Sequence, residues 1–271
     1  MEAVPVIDMA PYLSDPDAKN SKTVVREIYE AASTWGFFLL TGTSLSNDQQ
    51  LALMRSTKSF FDLPLKDKMA LDVAQGGVAW RGYMPLGGEQ THGHKDWKEG
   101  LYIGPEHPED HHLVRSDVMA YLEQVNNLGK VLTDMFSEGL GLDRRDLRRR
   151  WLDPEPVILF RCFKYAPVAA STDVRSTHPD PSKDRNEEDG FGIGSHTDFG
   201  YLTILKVDST GLQWVDVPVI EGALVINSKW HQYLARKVQK VFPDLGLPDF
   251  ESNEAPSTRF TRVVNTTAVP T

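Results

Sequence analysis

After Pro154 the hydrophobic period of the chain changes, and this switch limits the possible folds more than any other feature. Upstream, apolar residues recur at helical spacing, first as Val24, Val25, Ile28, Tyr29 and Ala32 between Ser21 and Trp35. The pattern returns as Val118, Leu122, Val125, Leu128, Leu132 and Phe136 in the long stretch from Ser116 to Leu140. Downstream come short β-rich segments at 157–165, 199–206, 212–217 and 223–227, separated by turn residues. A helical first part leading into short strands predicts a mainly β protein with helices, α+β in class: a β-sandwich or barrel on a helical support.

Strands also punctuate the first part. Val4-Pro5-Val6-Ile7-Asp8 reads as an edge strand, where a proline near the start costs no ladder bond. Gly36 to Gly42 reads as a buried strand closed by glycine. Ser46 followed by Gln49 forms a capping box, in which each side chain reaches the other's backbone N–H, and it opens a helix ending near Phe61. Residues 77–104 are glycine-rich and end in a strand at 100–104, while 168–190 are polar, charged and proline-containing, the signature of an exposed loop. No repeat is visible. The expected organisation is one compact unit, with residues 1–150 as the helix and strand support and 151–271 as the β region.

Charge and cysteine content restrict the partners. With 29 basic against 38 acidic residues the net charge is −9, which argues against nucleic acid or an anionic membrane as the main partner. Cys162, the single cysteine, has no internal disulfide partner and sits among Ile158, Leu159, Phe160 and Phe163 as a buried thiol. The start of the chain has no cationic, apolar leader, and no apolar run reaches membrane-spanning length. A cytoplasmic monomer is expected.

The chemistry concentrates in Gly194-Ser195-His196-Thr197-Asp198, which precedes the apolar run Tyr201-Leu202-Thr203-Ile204-Leu205. Along an extended strand, residues two apart point the same way, so His196 and Asp198 can offer an imidazole nitrogen and a carboxylate oxygen to one ion. They make two of the three donors in a 2-His-1-carboxylate facial triad, the arrangement that leaves open positions on Fe(II). The tripeptide alone is cheap: His94-Lys95-Asp96 repeats it within a polar loop. The glycines at 190, 192 and 194, with the apolar run downstream, place His196 at a strand mouth instead.

Around that motif the chain resembles the isopenicillin-N-synthase-like branch of the Fe(II)/2-oxoglutarate oxygenases. The resemblance rests on ordered segments: Val4–Asp8, Trp35-Gly36-Phe37-Phe38, Phe60-Phe61-Asp62-Leu63-Pro64, Arg81–Gly87, Asp96-Trp97-Lys98-Glu99-Gly100, His196-Thr197-Asp198, Gly211-Leu212-Gln213 and Gly222–Asn227. It implies a double-stranded β-helix (jelly-roll) core, Fe(II) held by His196 and Asp198, and 2-oxoglutarate with O2 as co-substrates. It also implies that a small organic substrate is hydroxylated, desaturated or similarly oxidised. Tyr165, in Lys164-Tyr165-Ala166-Pro167, matches a tyrosine lining the co-substrate pocket, against the simpler reading of a packed strand-end ring. Arg81 can meet a substrate carboxylate with its planar fork, or be a solvated loop residue.

The pattern departs from the family after Asn227. Thr261, in Thr261-Arg262-Val263, stands where the resemblance places the second iron histidine, and no Arg-x-Ser follows. Trp230, Leu234, Val238 and Val241 alternate instead with Lys229, Arg236, Lys237 and Lys240 as a short basic amphipathic helix, on which His231 is an alternative third ligand. Two protein donors hold a divalent ion less securely than three, and a dicarboxylate without a cationic anchor loses bonds worth on the order of 2 kcal/mol each. Weakened or absent turnover is therefore the expectation for this chain. The alternatives to an active oxygenase are a ligand-binding relative that has lost catalysis, or the product of splicing or truncation, and an oxidase of the same fold that needs no 2-oxoglutarate.

Overall fold

A computed structural model of the chain describes residues 3–75, 81–91, 94–104, 115–153, 158–166, 192–193, 200–209 and 217–228. The elements, in chain order, are β1 (Val6–Asp8), α1 (Ala10–Ser14), α2 (Lys19–Thr34), β2 (Phe37–Thr41), α3 (Asn47–Phe61) and α4 (Leu65–Met69). They continue with β3 (Gly82–Met84), β4 (Gln90–Thr91), β5 (His94–Lys95), β6 (Lys98–Ile103), α5 (Arg115–Gly139), α6 (Asp146–Trp151), β7 (Phe160–Tyr165), β8 (Leu202–Leu205) and β9 (Leu224–Ser228). The protein is thus a mixture of helices and sheets. These residues fall into two compact units, each drawing on both sides of position 150: one within 1–56, 112–157 and 198–261, the other within 57–111, 158–197 and 262–271.

The first unit is built on a four-stranded sheet in the order β1-β2-β9-β8. β1 and β2 are parallel, whereas β9 runs antiparallel to both β2 and β8. The register pairs Phe38 with Ile226, Leu39 with Val225 and Leu40 with Leu224. Because side chains alternate between faces, Phe38, Leu40, Leu224 and Ile226 share one side, and all four are fully buried. Leu39 and Val225 take the other side, packed with Val4, Val217 and Ala223. A strand covered on both faces loses the polar alternation of a surface strand, which is why Phe37–Thr41 reads as a continuous apolar run. Helices α2 and α5 pack together, α2 against β1 and β2 and α5 against β8.

Local signals set several boundaries. Gly36, at φ +77°, closes α2 through an N–H donated to Ala31 O at 3.2 Å, the left-handed C-cap that glycine adopts without strain. Gly42 ends β2 at φ +63°, where a Cβ would stand 1.8 Å from Asp8 Oδ1. The capping box at the start of α3 closes as expected: Ser46 N–H donates to Gln49 Oε1 at 3.0 Å, and Gln49 N–H donates to Ser46 Oγ at 3.2 Å.

The second unit carries the antiparallel sheet β3-β6-β7 and the small hairpin β4-β5. The expected strand at 100–104 begins earlier, at Lys98, and the glycine-rich stretch before it contributes β3 and the hairpin. One face of the sheet buries Tyr83 and Cys162 against Phe60 and Phe61. Cys162 is the buried thiol expected, its pKa raised by burial. Among the described residues, no helix is long and apolar enough to cross a membrane. The expected loop at 168–190, all of the expected strand at 212–217 but its last residue, and the basic helix from Lys229 lie outside the described residues.

Candidate metal centre and its surroundings

His196 and Asp198, the proposed metal pair, lie outside the described residues, as do His231 and Thr261. Among the described residues no group of three or more histidine, cysteine, aspartate or glutamate side chains is placed to hold a metal ion. The donor chemistry of the pair fits Fe(II) as far as it goes: an imidazole and a carboxylate are two of the three donors that a facial triad needs. What the structure does place are the segments on either side of the motif.

Upstream, Gly192 rests against Tyr165, the last residue of β7. A Cβ on Gly192 would come within 2.3 Å of Tyr165 Cδ1, so any larger residue there must displace the ring or the backbone. Tyr165 itself is about half exposed, at 49%. Its ring lies 6.3 Å from that of Phe163, and partial burial of the ring, with the nearby carboxylates of Asp96 and Glu89, raises the phenol above its ordinary value. The structure thus brings together Tyr165 and Gly192, which stands four residues before His196 in the sequence.

Downstream, Tyr201 leads into β8. Its hydroxyl bonds to Thr133 Oγ1 on α5, and its ring meets Trp151 edge-on at 5.6 Å. Burial pushes this phenol, too, up to about 12.

The other sequence candidate is held by backbone. Arg81 donates from Nη1 to Ile103 O at 3.2 Å, and its guanidinium lies across Gly104, where a Cβ would stand 1.8 Å from Cζ. Nor is the second H-x-D a free metal pair. Its carboxylate, Asp96, is buried and accepts from Lys98 Nζ at 2.7 Å and from Thr91 Oγ1 at 3.0 Å.

Sequence reasoning missed the polar network around Lys98. Alternation along β6 sends Lys98, Gly100 and Tyr102 to one face and Glu99 and Leu101 to the other. Lys98, 3% exposed, pairs with Asp96 and with Glu89 Oε2 at 3.1 Å, and its ammonium lies 4.9 Å from the centre of the Phe163 ring. Tyr102 donates to Glu89, and burial, with that carboxylate, raises its phenol far above the ordinary range. On the opposite face Glu99 accepts from Lys68 Nζ and from Tyr83 Oη, both at 2.6 Å. The sequence signal available was Lys98 standing two residues from Gly100 and four from Tyr102, on the face they share.

Comparison with known proteins agrees with this architecture. Residues 4–125 match the family model described as the N-terminal region of the non-haem dioxygenase in morphine synthesis. A probable iron/ascorbate oxidoreductase of Dictyostelium discoideum is 33% identical over 261 residues, spanning 84% of this chain and 71% of the relative. The chain belongs to the 2-oxoglutarate/Fe(II)-dependent oxygenase family. Another member, the 2-oxoglutarate-dependent dioxygenase tropC of Talaromyces stipitatus, is 32% identical over 266 residues, covering 83% of this chain and 76% of tropC. Among solved structures, a full-length Neurospora crassa protein in complex with alpha-KG superposes with a TM-score of 0.66 at 23% identity, over 83% of this chain and 72% of that one. At that identity the likeness speaks for the shared fold. The same Neurospora protein has also been solved with alpha-KG and thymine, a small heterocycle.

Proposed function

We propose that this chain is a non-haem Fe(II)- and 2-oxoglutarate-dependent oxidoreductase that oxidises a small organic substrate, with a double-stranded β-helix core and with His196 and Asp198 as metal ligands. The carrying observation is its 33% identity, over 84% of the chain, to an iron oxidoreductase. The likeness in fold to the Neurospora protein bound to alpha-KG supports the β-helix core and the co-substrate. Bound Fe(II), with 2-oxoglutarate and O2, supplies the oxidising chemistry; the protein supplies donors, orientation and an enclosed site.

Within this reading Tyr165 lines the co-substrate pocket. Its position under Gly192, four residues before His196, supports that role. A phenol is neutral at physiological pH, so Tyr165 can donate a hydrogen bond to a carboxylate. Arg81 is the candidate for a carboxylate on the substrate, through donors other than the one given to Ile103. A net charge of −9 fits a small-molecule substrate better than a nucleic acid or an anionic membrane.

Succinate release in the presence of Fe(II) and 2-oxoglutarate tests the proposal. Release above that of a His196→Ala control supports it. Equal release from the two proteins defeats it.

A further inference from the structure

The β4–β5 hairpin is flanked by two acids. Asp96 N–H donates to Glu89 O at 3.0 Å and closes its base, so both residues stand at the same end. Both carboxylates turn to one lysine: Lys98 Nζ lies 2.7 Å from Asp96 Oδ2 and 3.1 Å from Glu89 Oε2. Tyr102, on the same face of β6, donates to the other oxygen of Glu89. Two carboxylates and one ammonium give this group a formal charge of −1.

Tyr165 stands across from it. The ladder pairs Lys98 with Tyr165, and residues directly opposite in an antiparallel pair project to the same face. Burial raises the Tyr165 phenol, and the carboxylates of Asp96 and Glu89 raise it further. Arg161, another cation on this face of β7, is directed elsewhere: it is paired with Tyr102, four residues along β6 from Lys98, and its guanidinium lies over that ring at 4.9 Å. An anion that accepts a hydrogen bond from Tyr165 therefore also approaches two carboxylates, and Lys98 is the cation that offsets them. Without its ammonium the incoming charge would meet −2 in place of −1.

We propose that Lys98 is a specificity-determining residue whose buried ammonium offsets the carboxylates at the base of the hairpin, so that a dicarboxylate can bind at Tyr165. The inference rests on the reading of Tyr165 as a residue of the co-substrate pocket. It makes affinity follow the net charge of the three groups, whereas a merely structural network would make it follow the bonds that are kept.

Equilibrium dialysis of the full chain with labelled 2-oxoglutarate, anaerobically and with Fe(II) in every sample, tests it without turnover. Glu89→Gln keeps an acceptor for Tyr102 and brings the group to a charge of zero. It is expected to lower the Kd on the order of fivefold, the scale of one unit charge felt through partly hydrated protein. Lys98→Met brings the charge to −2 and should raise the Kd by a similar factor. Lys98→Met combined with Asp96→Asn restores −1 and should bind as the parent does, although both ion pairs are gone. If Glu89→Gln weakens binding, or the double variant stays as weak as Lys98→Met, the charge role is wrong; weaker binding by Tyr165→Phe in the same series leaves the pocket reading standing. Should Lys98→Met fail to fold, the Glu89→Gln arm decides alone. A parent chain that takes up no 2-oxoglutarate, or a Tyr165→Phe variant that binds as the parent does, removes the pocket reading and this inference together.

Discussion

Gly192 lies so close to the ring of Tyr165 that a Cβ on the glycine would stand 2.3 Å from Cδ1 and 2.9 Å from Cε1. The relationship joins the strand carrying the expected co-substrate tyrosine to Gly192, and it makes a prediction about size. Gly192→Ala must displace either the loop or the ring. The ring is half exposed and can swing, so the cost belongs at the low end of overpacking, about 1 kcal/mol. Thermal denaturation measures it. Truncating the neighbour removes the clash, so Gly192→Ala in a Tyr165→Ala background is expected to cost nothing further. A cost that persists in that background would show that the ring is not what the methyl group meets.

Lys98 gives a larger effect. Its ammonium is the cation that both Asp96 and Glu89 contact, and it is 3% exposed. Lys98→Met keeps much of the apolar stem but leaves two carboxylates without that partner, and breaking a buried pair from one side costs about 3–5 kcal/mol. Urea denaturation should show this as a fall in midpoint. A change below about 1 kcal/mol would mean that the pair is hydrated and contributes as a surface pair does.

The contrast between these sites shows what was legible in the chain. The capping box of Ser46 and Gln49, the apolar stripes of α2 and α5 and the glycine-bounded strand β2 are local patterns, decided by residues within a few positions of one another, and each is found where the sequence puts it. Lys98 was not legible as a buried residue because its partner Glu89 is nine positions away and is brought to it by the fold. Tyr201 was read only as part of an apolar run, since Thr133 lies 68 residues before it. The H-x-D at 94–96 is discounted by its polar context, and the structure adds the partner that occupies Asp96, Lys98. His196 and Asp198 stand as sequence assignments.

Alkaline pH should unfold the protein partly through Tyr201. Burial raises its phenol from the ordinary value of 10 to about 12, so the folded state keeps a proton that the unfolded chain releases. Between pH 10 and about 12 the unfolded state binds fewer protons, and stability falls as pH rises through that window, with the full contribution present below pH 10. Tyr201→Phe removes one of the groups responsible. Its stability is expected to decline less steeply than that of the parent over the same range, measured by urea midpoints at stepped pH. Parallel slopes for the two proteins would show that Tyr201 ionises in the folded state at an ordinary pH.

Thr261 offers the most direct test of whether the proposed metal pair lacks a third donor at the position where the resemblance places one. The residue lies outside the described segments, and the case for it is one of sequence: Thr261-Arg262-Val263 occupies the place where the resemblance puts a histidine followed by Arg-Val. A neutral hydroxyl is a poor donor to Fe(II), whereas imidazole is a good one. Even groups that merely support metal ligands are worth 10–100-fold in affinity, so a third donor bonded to the ion should contribute at least about tenfold. Thr261→His is therefore expected to tighten Fe(II) binding by that factor or more in anaerobic competition with a chelator, and to raise succinate release above the parent level. Thr261→Ala separates donation from mere loss of the threonine and should bind no more tightly than the parent. If the histidine variant gains no affinity, residue 261 does not approach the ion held by His196 and Asp198, and the third donor must come from elsewhere in the chain.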